Sequence, residues 1–144
     1  MSNTENIFNN AKSEIEKLWN NKSVLSNFVK FPKNLLLKDL NKNKIPVTDK
    51  LFKWNLNLNT KLIELHNSIS KLSPYVNWEH GYKEKEVGKD FLNRYGFFEL
   101  IGPTGHFKTS EMALYVNYLC KNAYYPWHNH DAEELYFIVS GKAK

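Results

Sequence analysis

Apolar residues in the first half of the chain recur at helical spacing. Phe8, Ala11, Ile15, Leu18 and Trp19 form one stripe, and Asn3 or Thr4 can cap a helix over residues 6–20. Ser23 opens a second short helix carrying Val24, Leu25 and Phe28, which Pro32 ends or interrupts. Residues 34–40 are expected to add a turn of helix, and 42–46 form a polar connection. Thr48-Asp49 caps a longer helix running to residue 72, lined by Leu51, Phe52, Trp54, Leu58, Leu62, Leu65 and Ile69 and stopped by Ser73-Pro74. A short helix is expected over 87–94.

The period changes near Tyr95. Residues 97–101 form a short apolar run closed by Gly102-Pro103. Residues 111–119 read as a strand, with Met112, Leu114, Val116 and Tyr118 two apart. Residues 134–139 read as another, closed by Ser140-Gly141. Glu134, Tyr136 and Ile138 would share one side of it, and Leu135, Phe137 and Val139 the other. The expected fold class is α+β: a helical N-terminal region with its linker over 1–94, feeding β-structure over 95–144.

A length of 144 residues suits one domain, or one with a modest extension, and 42% hydrophobic residues argue against wholesale disorder. The single cysteine, Cys120, excludes an internal disulfide and any Cys-rich zinc ribbon. The N-terminus is polar and acidic, unlike a signal peptide, and no apolar run reaches membrane-span length. A soluble, cytoplasmic protein is therefore expected. The net charge of +5 does not change this picture. Arg94 is the only arginine, and the lysines are scattered among Asn and Glu, which fits a solvated surface better than a nucleic-acid interface. Trp19 and Trp54 read as core.

Candidate chemistry gathers in the run Tyr124-Tyr125-Pro126-Trp127-His128-Asn129-His130-Asp131-Ala132-Glu133-Glu134-Leu135-Tyr136. Two histidines two apart point to the same side of an extended chain, so their imidazoles can converge. Glu134 can return to that side after a turn, whereas Glu133 would point away. Two imidazoles and a carboxylate on one face make a facial metal site suited to Fe, Mn, Ni or Zn, and the ligand set does not choose among them. An isolated His-x-His pair is more often merely solvated; the glutamate at fixed spacing, the strand and its terminal glycine sharpen the signal. The other histidines, His66, His80 and His106, are expected on a helix face and in solvent-exposed connections.

The pattern His-x-His, three residues, Glu, six residues, Gly is that of the first cupin motif, filled here by His128, His130, Glu134 and Gly141. Asn122 stands where the motif usually opens with glycine, six positions before the first His. The wording YYPWHNHDAEELYFIVSGKA resembles the cupin-type dimethylsulfoniopropionate lyases. So do the helical N-terminal region, the Trp78–Tyr82 linker and the Gly102-Pro103 turn. The specific match covers about residues 95–144. The resemblance implies the first part of a cupin barrel (double-stranded β-helix, jelly roll). It also implies a divalent metal held by His128, His130 and Glu134, with Tyr136 as general base and Tyr125 as a second active-site tyrosine. The implied reaction is β-elimination of dimethylsulfoniopropionate to dimethyl sulfide and acrylate. A sulfonium substrate favours aromatic faces, for which Trp127, Tyr124, Tyr125 and Trp78 are candidates, Trp78 more as packing.

A cupin dioxygenase or isomerase, or a non-catalytic small-molecule-binding cupin, would use the same triad. The tyrosines favour the lyase, and the N-terminal helices lack a basic recognition helix. They could either cover the barrel or join a homodimer. No histidine follows the first motif, so a fourth ligand is expected outside this sequence. The chain resembles the N-terminal portion of a longer enzyme and is expected to be poorly active alone.

Overall fold

The computed structural model describes residues 1–55 and 61–143. Helix α1 (Asn3–Asn21) starts ahead of both expected caps, because Ser2 and Glu5 close a reciprocal capping box. Its five predicted stripe residues are all buried. Helix α2 (Ser23–Phe28) follows, and the Trp19 indole donates to the Val29 carbonyl at 3.0 Å, tying the next segment back to α1.

Three helical expectations are corrected. Residues 34–40 form no helical turn: Asn34 takes a left-handed conformation (φ 58°), which breaks helical propagation. Leu36–Leu37 become strand β1 instead. The single helix expected over 48–72 is two, α3 (Thr48–Phe52) and α4 (Ile63–Leu72). The Trp54 carbonyl accepts from the His66 ring at 2.8 Å rather than from a following helical turn. Leu58 lies outside the described residues. A 3₁₀ turn at Ser73–Tyr75 follows Leu72. The helix expected near 87–94 is split into α5 (Glu84–Val87) and α6 (Lys89–Leu92) by Gly88, whose φ is 81°.

Strands β2 (Tyr95–Gly102), β3 (Phe107–Lys108) and β4 (Leu114–Leu119) join β1 in one sheet, ordered β1-β3-β2-β4. The antiparallel β2–β4 register assigns its two faces. Gly96, Phe98 and Ile101 lie opposite Tyr118, Val116 and Leu114, and this face packs on the helices through a shared apolar core. Tyr95, Phe97 and Glu99 lie opposite Leu119, Asn117 and Tyr115 on the other face. Trp78 is fully buried against Phe98, and its indole donates to the Ser73 carbonyl, which identifies it as a packing residue. Among the described residues, no helix is long and apolar enough to cross a membrane.

Gly96 permits a close approach: a Cβ there would fall on Ile45 and lie 2.9 Å from Val47 Cγ2. Gly96→Ala is expected to cost about 1–3 kcal/mol through overpacking, read as a lower urea midpoint at unchanged slope.

The expected strand at 134–139 is also corrected. No hydrogen-bonded ladder forms there among the described residues. The alternation survives without it: Leu135, Phe137 and Val139 pack on the core, while Glu134, Tyr136 and Ile138 face outward and are exposed. Side-chain period alone does not make a strand; the backbone also needs a partner.

His106, expected in solvent, is instead 2% exposed; its Nε2 accepts from the Asn77 N–H and its ring lies 4.8 Å from that of Phe8. Burial lowers its pKa from 6.5 to about 4. The unfolded chain binds a proton below 6.5 that the native imidazole refuses. This group therefore destabilises the fold progressively as pH falls from about 6.5 to about 4, by about 3 kcal/mol at the lower limit. Urea unfolding of the parent and His106→Gln at pH 7.5 and 4 should show that extra loss only in the parent.

Candidate metal centre

The site begins where β4 ends. The Cys120 N–H donates to the Arg94 carbonyl and the Ala123 N–H to the Cys120 carbonyl, forming a turn that carries Asn122 at φ 62°. Asparagine tolerates this left-handed conformation better than most residues, so the missing motif glycine does not remove the turn. Gly141, at the far end of the motif, also has positive φ, at 84°.

Between these turns the chain brings His128, His130 and Glu134 together, with one donor atom from each within 4.8 Å of the others. All three residues are exposed. His128 Nδ1 lies 3.0 Å from the Pro126 carbonyl, an obligate acceptor. That nitrogen therefore carries the proton and Nε2 keeps the free lone pair a metal requires. His130 Nε2 and Glu134 Oε1 are 3.0 Å apart. Two imidazole nitrogens and a carboxylate oxygen converging from one short segment fit a divalent transition metal. Glu133 stands outside the cluster.

Tyrosines adjoin the triad. The Tyr125 ring meets that of His128 edge-on at 4.9 Å, and its hydroxyl lies 3.3 Å from that of Tyr95. Tyr95 donates in turn to Asn117 Oδ1 on β4. Tyr136 stands beside Glu134 and Tyr125. Desolvation of its phenol, then the Glu134 carboxylate and Tyr125, push its pKa up. Burial, followed by the Tyr125 hydroxyl, also raises Tyr82 to about 12 and pushes Tyr95 up. These phenols remain protonated at neutral pH and so serve as hydrogen-bonding groups in the metal-free chain.

The other sequence candidates contribute no donor to the triad. Tyr124 is exposed and lines a cleft with Phe91, Arg94 and Asn122, while Trp127 is 95% exposed. Among the described residues neither makes a ring contact. His80 bonds the Leu92 carbonyl, and His66 and His106 are buried; none of them joins the cluster. Sequence reasoning passed over Tyr82, Tyr95 and Asn117 as site neighbours. Tyr95 and Asn117 could have been found by carrying strand alternation through β2 and β4, which places them on the sheet face opposite the shared apolar core. Tyr82 carries no comparable signal.

Residues 20–144 match the sequence model of the dimethylsulfoniopropionate lyase family. Dimethylsulfoniopropionate lyase DddQ of Ruegeria pomeroyi is 29% identical over 144 residues, covering 100% of this chain and 72% of its own. A putative dimethylsulfoniopropionate lyase, DddL of Cereibacter sphaeroides, is 28% identical over 78 residues, covering 54% of this chain and 33% of its own. The crystal structure of DMSP lyase DddQ from Ruegeria pomeroyi superposes with a TM-score of 0.76 at 25% identity, covering 83% of this chain and 61% of that one. A chain from the crystal structures of DMSP lyases RdDddP and RnDddQII gives 0.75 at 30% identity, covering 81% and 60%. This chain thus spans about three fifths of those solved chains. The fold is α+β, a helical N-terminal region followed by the first part of a cupin barrel.

Proposed function

We propose that this chain, which belongs to the dimethylsulfoniopropionate lyase family, carries the first cupin motif of a metal-dependent carbon–sulfur lyase. In this reading 1–94 is a helical region with its linker and 95–144 an incomplete cupin domain. The substrate is dimethylsulfoniopropionate, cleaved to dimethyl sulfide and acrylate. The observation that carries the reading is the convergence of His128, His130 and Glu134 with the Tyr136 phenol beside them.

His128, His130 and Glu134 would hold Fe, Mn, Ni or Zn. A divalent ion bound there would offset the substrate carboxylate's charge and, by its field, favour ionisation of a nearby phenol. Tyr136 then removes the proton from the carbon next to the carboxylate. The C–H electron pair becomes the new double bond, the carbon–sulfur bond breaks, and dimethyl sulfide leaves with its electron pair. The proton resides on Tyr136 Oη. Tyr125, whose hydroxyl meets that of Tyr95, stands beside Tyr136 and is the second active-site tyrosine of this reading. Its ring offers the sulfonium group an aromatic face, worth about 0.5–2 kcal/mol; Tyr124 and Trp127 are further candidates.

The test is headspace detection of dimethyl sulfide. It uses this chain joined to the part of the Ruegeria pomeroyi relative that lies outside the match. Release that requires added divalent metal is expected. A folded, metal-loaded protein giving no more dimethyl sulfide than buffer would contradict the assignment.

A further inference from the structure

We propose that His66 is a positioning residue that latches the ligand-bearing segment to helix α4 through Ser140, an inference that rests on the metal reading above. His66 is 2% exposed and lies 74 residues before its partner. Both of its ring nitrogens are engaged: Nε2 is 2.8 Å from the Trp54 carbonyl and Nδ1 is 2.9 Å from Ser140 Oγ. The carbonyl can only accept, so Nε2 carries the proton. Nδ1 is then an acceptor, and the Ser140 hydroxyl donates to it. The ring has no freedom to choose another arrangement, because Trp54 packs edge-on against it at 4.9 Å and itself packs on Tyr118 of β4 at 5.8 Å.

The latch matters because of what the segment lacks. Residues 134–139 form no ladder among the described residues, so backbone pairing does not fix where Glu134 and Tyr136 stand. Three apolar side chains on the inner side, Leu135, Phe137 and Val139, hold the segment to the core and fix which side faces inward. The Ser140 bond pins its far end with a directional contact. Apolar packing therefore sets which side faces the core, and His66 adds a directional anchor at the segment's far end. Neither His66 nor Ser140 belongs to the cluster of donors.

Ser140→Ala and Ser140→Thr separate the hydroxyl's bond from its bulk. Two measurements are made on the chain itself: Co(II) affinity by chelator competition, and the rate of chymotrypsin cleavage after Phe137, whose side chain packs on the core. Ser140→Ala should weaken Co(II) binding about tenfold, the low end for loss of a group that orients ligands. It should also speed cleavage after Phe137 about tenfold while leaving cleavage after Phe8 in α1 unchanged. Ser140→Thr, which keeps the hydroxyl, should stay within about twofold of the parent. Parent-like affinity and cleavage in Ser140→Ala would overturn the proposal, as would Ser140→Thr behaving like Ser140→Ala. A parent that binds no Co(II) would defeat the metal reading instead, and the cleavage comparison would still decide whether His66 latches the segment.

Discussion

Phenylalanine at position 136 is expected to cut dimethyl sulfide release by about 100- to 10,000-fold while leaving metal content unchanged. The substitution deletes one oxygen and keeps the ring. The range is what a positioned general base contributes when the rest of a site stays intact. The carbon acid here is a poor one, since its neighbouring carboxylate is already negative, so elimination depends on a base held at the right place. Tyr136 is in place beside Glu134, two residues along the same outward side of the segment. Its phenol is not one of the three converging donors, which is why metal retention should survive. Full activity in Tyr136→Phe would remove the base assignment and leave the metal assignment standing.

Alanine at His130 or Glu134 is expected to act one step earlier, on the ion itself. Each substitution should weaken divalent-metal binding by about 100-fold or more, beyond the 10- to 100-fold range of residues that only orient ligands. In the metal-free chain these two side chains contact each other at 3.0 Å, both partly exposed, so the pair contributes little to folding. Thermal unfolding of the metal-free variants should accordingly match the parent, while chelator competition shows the loss. Glu134→Gln is the informative companion: it keeps an oxygen of similar reach but removes the charge, so an intermediate loss is expected. Parent-like affinity in both alanine variants would mean the ion, if bound, sits elsewhere.

Different physical signals made different parts of this molecule legible. The stripe of α1 was readable because a helix buries every third or fourth residue, and all five predicted positions are buried. The convergence of His128, His130 and Glu134 was readable because their residue types and spacing are chemically unusual, whatever the backbone does between them. The alternation at 134–139 was also readable, since Leu135, Phe137 and Val139 do face the core. Pairing was not. Leu36–Leu37 join the sheet through Phe107 and Lys108, some 70 residues away, and no local pattern announces such a partner. The split of the long helix near Trp54 involves a carbonyl taken by His66, again a tertiary choice that overrides local propensity. The tyrosines around Tyr125 follow the same rule, because Tyr82 and Tyr95 become neighbours of the site only after β2 and the segment before it have packed.

In the proposed function, His128, His130 and Glu134 grip a single divalent ion. Loading the chain with Zn(II), removing free metal by gel filtration and measuring zinc per polypeptide by mass spectrometry tests it most directly. One zinc per chain is predicted, falling to background when His128 and Glu134 are both replaced by alanine. A folded chain that retains no more zinc than that double variant would contradict the account.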